Sequence, residues 1–266
     1  MKLNKLIAIA TISLLSGGIS MAQKALNLED IVAGNIIQTK GIGSMTWLKD
    51  GERYSRLENN KQTGGTDIVA YRAKDNSREV IIPSSLLTDK STGRPIPVRS
   101  VSWSADNEKV LIYNNTRRVW RYDTRGDYWV LNLKDGALRQ LGKGMPESSM
   151  MFAKFSPDGT RVAYVSNNNI YVEDIDSGKI TQLTKDGSDT IVNGTFDWVY
   201  EEEFSCRDGF RWSPDGKHIA YWQSDTKGTG VFDIINNVDS IYAKVIHFPY
   251  PCLLYTSPSP RDPKTS

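Results

Sequence analysis

Cysteine, histidine and long apolar runs are all scarce in this sequence of 266 residues. Two cysteines, Cys206 and Cys252, are too few for a disulfide framework. The two histidines, His218 and His247, show no zinc-type spacing with them, so we expect no metal or other cofactor. The net charge is only +2 and no long basic run concentrates it, which argues against nucleic acid as a partner. A hydrophobic content of 39% suits a folded domain that buries a core.

The first 22 residues differ from the rest of the chain. Lys2 and Lys5 precede an apolar run over residues 6–15, and small residues follow up to Ala22. This pattern predicts a secretory signal peptide over residues 1–22, cleaved after Ala22. The alternative is a membrane anchor, but an apolar run of about ten residues is too short to cross about 30 Å of hydrocarbon at about 1.5 Å per residue. We therefore expect an exported chain, periplasmic or extracellular, with no membrane contact after cleavage.

Four segments repeat one pattern, in which an aromatic residue precedes a tight turn and an alternating strand. They begin at Trp47, Trp103, Phe155 and Trp212, at intervals of 56, 52 and 57 residues. In the last two segments the turn reads Ser-Pro-Asp-Gly. This sequence predicts a tight turn, because Pro presets φ for the first turn position and Asp-Gly tolerates left-handed backbone. A repeat of this length made of strands is typical of propeller blades. The alternative is a β-sandwich, whose strands come every 8–12 residues without a longer period.

The second and third repeats carry the clearest strands. In the third repeat we predict strands over residues 161–165, 170–174 and 179–183, and in the second over 110–113, 118–122, 129–133 and 138–141. The sequence therefore predicts an all-β fold, a partial β-propeller of about four blades over residues 23–251.

The last 15 residues, 252–266, contain three prolines and continue neither the repeat nor the strand alternation. We interpret them as a non-native tail of the kind produced by translated adaptor sequence. The alternative is a disordered proline-rich terminus. In either case we expect the propeller pattern to stop near residue 251.

Residues 196–204, between the third and fourth repeats, break the strand alternation and contain Glu201, Glu202 and Glu203 in succession. Asp197 can cap a short helix, so we predict a helical insert near 197–204. Successive helical residues point about 100° apart, so two of the glutamates can lean toward one point. A peptide's α-amine, with a pKa of about 7.7–8.0, is a cation that would relieve their repulsion. The alternative is a solvated helix face.

Residues 197–204, DWVYEEEF, followed by FRWSPDGKHIAYW over 210–222, resemble the dipeptidyl peptidase IV family, and its bacterial members in particular. The resemblance covers residues 26–251 and implies the first half of an eight-bladed propeller. It implies that Glu202 and Glu203 bind the amino terminus of a substrate. Residues 119–121, Val-Trp-Arg, match a second motif, which implies that Arg121 contacts a substrate carbonyl. Residues 205–208 depart from the family's pattern.

The same resemblance implies a serine exopeptidase that releases dipeptides from free amino termini, with Pro or Ala second, and whose parent protein is a homodimer. The family's catalytic Ser, Asp and His lie on an α/β-hydrolase domain beyond the propeller. No G-x-S-x-G motif occurs in the sequence, so we expect the 266-residue chain to have no peptidase activity. A rival interpretation is a noncatalytic exported propeller that binds a protein or a glycan.

Three short motifs carry less information. Residues 125–127 read Arg-Gly-Asp, an adhesion tripeptide that we expect to be a chance occurrence in a turn. Asn114 and Asn193 begin glycosylation sequons.

Overall fold

The computed structural model of the protein describes residues 27, 28, 32, 41 and 43–250. The chain divides into two compact units, residues 1–43 and 44–266, and every element named below belongs to the second. The predicted signal peptide and the predicted non-native tail lie outside the described residues. No helix in the described part of the chain is long and apolar enough to cross a bilayer.

Three four-stranded antiparallel sheets follow one another along the chain, each an up-and-down meander. The first contains β1 (Met45–Trp47), β2 (Arg53–Asn59), β3 (Thr66–Arg72) and β4 (Arg78–Ile82). A 3₁₀ turn (Ser84–Leu87) and the short pair β5 (Thr88–Asp89) and β6 (Arg94–Pro95) follow it. The second contains β7 (Ser100–Trp103), β8 (Lys109–Val119), β9 (Tyr122–Asn132) and β10 (Leu138–Gln140). The third contains β11 (Met151–Phe155), β12 (Arg161–Ser166), β13 (Asn169–Asp174) and β14 (Ile180–Gln182).

The fourth repeat forms shorter ladders. Its elements are β15 (Ile191–Asn193), α1 (Trp198–Glu202), β16 (Phe210–Trp212), β17 (Ile219–Tyr221), β18 (Gln223–Asp225), β19 (Val231–Asn236) and β20 (Lys244–Pro249). The pairs are β15 with β18, β16 with β17, and β19 with β20, all antiparallel. Within residues 43–250 the only α-helix is α1, so the prediction of an all-β fold with a short helical insert is confirmed.

The repeated turn has one structure in all four repeats, where it joins two consecutive antiparallel strands. The turn ends on a residue with positive φ in every copy: Gly51 (70°), Asn107 (59°), Gly159 (68°) and Gly216 (68°). In the last three copies the serine hydroxyl donates a hydrogen bond to the aspartate two residues later, each at 2.5 Å. Glycine and asparagine tolerate left-handed backbone best, which explains the sequence pattern.

The core lies between successive sheets. Strand β8 shows this directly, because Val110 and Ile112 pack toward the first sheet, whereas Leu111 packs toward the third. Likewise Val162 and Tyr164 of β12 face the second sheet. Successive side chains of a strand point to opposite faces, so a sheet with apolar residues at both parities is covered on both sides. Sheets stacked in this way have the arrangement of propeller blades.

One buried charge connects the second and third sheets. Glu173 on β13 is 1% exposed and accepts hydrogen bonds from Arg139 (2.8 Å), from the backbone N–H of Gly142 (2.8 Å) and from the Tyr164 hydroxyl (3.3 Å). Three donors satisfy the carboxylate, which is the condition under which a charge can stay inside a core.

The short motifs lie in the folded core. The Arg-Gly-Asp tripeptide is part of β9 and not of a turn, and Asp127 is buried, accepting hydrogen bonds from Asn115 and from the N–H of Ser148. Asn114 and Asn193 are both buried, at 6% and 0% exposure. None of the three motifs is presented to an adhesion receptor or a glycosylating enzyme in the folded chain.

Candidate functional site

A closed insert interrupts the first strand of the fourth repeat. Strands β15 and β16 pair with β18 and β17, which are separated only by Trp222. At the gap, Gly194 N–H donates to Trp222 O (2.9 Å), Trp222 N–H to Gly209 O (2.9 Å) and Gly209 N–H to Gly194 O (3.1 Å). Residues 195–208 therefore leave the sheet and return to it at the same point.

Both glycines at this base are required by the geometry. A Cβ on Gly209 would lie 2.9 Å from the carbonyl carbon of Gly194 and 3.0 Å from the nitrogen of Thr195, so it would strike backbone. Gly194 has φ of +72°, and a Cβ there would meet Ile170 and Val165 at under 3 Å. The insert can close only because neither position carries a side chain.

Helix α1 begins as the sequence predicts. The Asp197 carboxylate accepts a hydrogen bond from the N–H of Tyr200 at 3.0 Å, which is an N-cap. Trp198 and the two glutamates Glu201 and Glu202 are spaced i, i+3 and i+4, so they share one face of the helix. This face meets the second sheet.

The second sheet reaches the insert through the tip of its long hairpin. Strands β8 and β9 have 11 residues each, and Trp120 and Arg121 form the turn between them. The predicted strand over residues 118–122 is therefore wrong: Val119 pairs with Tyr122, and Trp120 has φ of +50°, which reverses the chain. The Trp120 ring meets that of Trp198 edge-on, with centroids 6.2 Å apart.

Arg121 and Glu202, predicted to share a site, form an ion pair across 81 residues of sequence. Arg121 Nε lies 2.8 Å from Glu202 Oε2, and the backbone N–H of Arg121 donates to Glu202 Oε1 at 3.4 Å. The Glu202 side chain is 2% exposed and that of Arg121 is 71% exposed. The carboxylate is thus enclosed, while the guanidinium is presented to solvent.

The three glutamates have different environments. Glu203, the C-cap of α1, is exposed, and its side chain forms no ion pair within residues 43–250. Glu201 is buried, with its Oε1 3.9 Å from Arg207 Nε. Burial raises the pKa of the Glu201 carboxyl above its ordinary value of 4.5, and the neighbouring charge of Glu202 raises it further, whereas Arg207 and Arg125 oppose the rise. The face that meets the hairpin therefore carries Glu201 and Glu202, with Glu203 beside it in solvent.

Aromatic rings surround the hairpin tip. Trp120 and Trp198 both contact Phe248 of β20, with centroids 5.3 and 4.9 Å apart, and Trp198 also contacts Tyr250 at 5.4 Å. These contacts join the tip, the helix and the β19–β20 hairpin, so three separate parts of the chain meet at the candidate site. No group of three metal-ligating side chains with suitable spacing occurs among residues that the structure describes.

The family model for the dipeptidyl peptidase IV N-terminal region matches residues 104–258. The chain belongs to this family. The resemblance read from residues 197–222 is thereby confirmed, and the match includes Arg121 and all three glutamates.

Curated relatives in the dipeptidyl peptidase IV family include the probable dipeptidyl-aminopeptidase B of Chaetomium globosum, 36% identical over 135 residues, or 50% of this chain and 15% of the relative. The enzyme of the same name from Aspergillus terreus is 28% identical over 220 residues, or 79% of this chain and 24% of the relative.

Solved structures agree with this membership. The crystal structure of Porphyromonas gingivalis dipeptidyl peptidase 4 superposes with a TM-score of 0.70 at 25% identity, over 85% of this chain and 31% of that one. A putative dipeptidyl aminopeptidase IV from Bacteroides ovatus shares the fold, with a TM-score of 0.52 at 16% identity, over 80% of this chain and 26% of that one. The chain thus spans less than a third of the length of each relative named here.

Proposed function

We propose that this chain is the substrate-recognition part of a dipeptidyl peptidase IV-like serine exopeptidase, which removes dipeptides with Pro or Ala second. In this proposal its sheets are about four of eight blades, and the catalytic Ser, Asp and His belong to a domain outside residues 1–266. The chain alone is then inactive. We further propose that the parent is exported and homodimeric, as its family resemblance implies.

The observation that carries the proposal is the pairing of Arg121 with the enclosed carboxylate of Glu202, which the exposed Glu203 follows in sequence. An α-ammonium group has three N–H donors, which suit two carboxylates. Attraction between unit charges about 4 Å apart is about 4 kcal/mol at an effective dielectric near 20, before desolvation is subtracted. Arg121, mostly exposed, keeps donors free for a peptide carbonyl. The site would therefore anchor a peptide by its first residue and hold the next bond at a fixed distance.

The test compares two peptides that differ only at the amino terminus. Ala-Pro-Ala and acetyl-Ala-Pro-Ala are titrated into the 266-residue chain by calorimetry. We expect the free-amine peptide to bind at least about tenfold more tightly, a difference of about 1.4 kcal/mol. Glu202→Gln and Glu203→Gln should each remove this preference, whereas Glu147→Gln, at an acidic residue of the β10–β11 connection, should keep it.

Equal affinity for the two peptides, or no binding of either at millimolar concentration, would contradict the proposal. The catalytic part is tested separately, with protein made from the longer gene. It should hydrolyse Gly-Pro anilide, and the 266-residue chain should not. A longer gene product that binds a protein or a glycan and hydrolyses no peptide would support the noncatalytic interpretation.

A further inference from the structure

We propose that Arg207 is a positioning residue that clamps the β8–β9 hairpin tip to the insert and so sets Arg121 against Glu202. Arg207 lies on the returning segment of the insert, after the helix. The inference rests on the proposed function, because it names what holds the carbonyl-binding Arg121 against the amine-binding Glu202.

Arg207 contacts both sides of the site. Its guanidinium carbon lies 3.3 Å from the ring centroid of Tyr122, the first residue of β9, and its Nε lies 3.9 Å from Glu201 Oε1. The side chain is 21% exposed. A guanidinium plane suits both contacts, because it stacks on an aromatic face and attracts a carboxylate at its edge. One side chain thus connects the hairpin to the helix.

The hairpin tip needs such a connection, because its own ladder is irregular. Pairing shifts register twice before the turn, between Asn114 and Arg117 and again between Arg117 and Val119. A register shift disrupts the ladder locally, so fewer regular hydrogen bonds hold the strand end. Three consecutive tip residues instead contact the insert: Trp120 meets Trp198, Arg121 pairs with Glu202, and Tyr122 lies against Arg207. The two outer contacts fix the middle one.

The charge of Arg207 has a second effect, on Glu201. This carboxylate is buried, its Oε1 accepts no hydrogen bond, and it is next to Glu202 in sequence. Arg207 and Arg125 are the cations whose charges act on it. Without Arg207, the repulsion between Glu201 and Glu202 would be opposed by less positive charge. The helix would then turn to separate the two carboxylates, or the Glu201 carboxylate would bind a proton.

The test measures the ratio of the affinities for the free-amine and acetylated peptides. A general loss of structure would lower both affinities and leave this ratio unchanged. Affinities of Ala-Pro-Ala and its acetylated form are measured for the 266-residue chain carrying Arg207→Ala, Tyr122→Leu or both. We expect each single variant to weaken free-amine binding about tenfold and acetyl-peptide binding by less, because the acetylated peptide keeps only the carbonyl contact with Arg121. Because Tyr122→Leu removes only a contact that Arg207→Ala also removes, the double variant should be no weaker than Arg207→Ala alone.

A matched control exists in the chain. Arg161 also lies over an aromatic ring, that of Trp212 at 5.2 Å, and 3.9 Å from a carboxylate, that of Asp158, but it is remote from the hairpin tip. Arg161→Ala should lower the melting temperature at most, with unchanged selectivity. Arg207→Lys keeps the charge without the planar stack, so it should restore part of the affinity lost in Arg207→Ala.

The outcomes separate the two proposals. If Arg207→Ala and Tyr122→Leu keep full selectivity while Glu202→Gln loses it, the clamp is refuted and the proposed function stands. If the wild-type chain shows no selectivity, the proposed function itself fails. Additive losses in the double variant would also refute the clamp. Should Arg207→Ala fail to fold, Tyr122→Leu and Arg207→Lys still decide the question, because each alters the contact alone.

Discussion

Gly209→Ala tests whether the base of the insert is as tightly closed as the structure indicates. The new methyl group would lie 2.9 Å from Gly194 C, 3.0 Å from Thr195 N and 3.1 Å from Gly194 O. All three are backbone atoms, so no side-chain rotation relieves the overlap. Overpacking costs about 1–3 kcal/mol, and loss of the hydrogen bond between Gly209 and Gly194 adds about 0.5–1.5 kcal/mol. We expect a destabilisation of about 2–4 kcal/mol.

The assay is urea unfolding, combined with hydrogen exchange of peptides from residues 190–225. Gly230→Ala is the matched control, because Gly230 also has no positive φ and its nearest neighbour to a new Cβ is Tyr250 O at 4.0 Å. This control should be neutral or stabilising by about 0.4–1 kcal/mol, since alanine restricts the unfolded chain. Gly209→Ala should also speed hydrogen exchange of the Trp222 amide, because this N–H donates a hydrogen bond to the carbonyl oxygen of Gly209. Equal stability and equal exchange in the two variants would refute the closed base.

Two further predictions concern charges outside the insert's helix. Glu173→Gln should destabilise the chain by about 2–4 kcal/mol in urea unfolding, because a neutral amide replaces the buried partner of Arg139 and turns an N–H toward a donor. The control Glu79→Gln, at a side chain that is 67% exposed, should cost under about 0.5 kcal/mol. Similar losses of stability in both variants would contradict the argument. Burial lowers the pKa of Lys154 from 10.5 to about 8 despite its ion pair with Asp208, so between these pH values the unfolded chain binds the proton more tightly. Wild-type stability should therefore rise relative to Lys154→Met from pH 8 to pH 10.5, and parallel pH profiles would exclude this.

Local chemistry explains which features the sequence predicts. The turns after Trp103, Phe155 and Trp212 depend on residues within five positions of one another, and the structure confirms each. Asp197 likewise caps a helix that begins one residue later. The strand predicted over residues 118–122 fails because alternation continues through the tip, while the reversal depends on a positive φ at Trp120, a residue that rarely adopts it.

The roles of the three glutamates need tertiary information. Helical spacing shows that two neighbouring glutamates can share a direction, but it does not say which two. Trp198 supplies the missing reference, because its i+3 and i+4 neighbours are Glu201 and Glu202, and the sequence alone does not show that Trp198 meets a hairpin 78 residues earlier. The sequence indicates nothing about Arg207 beyond its place in residues 205–208, which depart from the family's pattern. Its contact with Tyr122 is set by the fold, and no spacing in the sequence indicates it.

The enclosed and exposed carboxylates act differently under the proposed function. Glu202 already has a cation, so an incoming ammonium group would share its carboxylate with Arg121, and the net gain of Coulomb energy there is small. Glu203 is exposed and forms no ion pair in residues 43–250, so no other cation reduces its attraction for an amine. Salt does reduce this attraction, because the screening length is about 8 Å at 0.15 M. Glu203 therefore supplies most of the added attraction, and Glu202 supplies the second carboxylate for the ammonium group and orients Arg121. Raising salt should weaken the contribution removed by Glu203→Gln more than that removed by Glu202→Gln, because only the exposed carboxylate is surrounded by mobile ions.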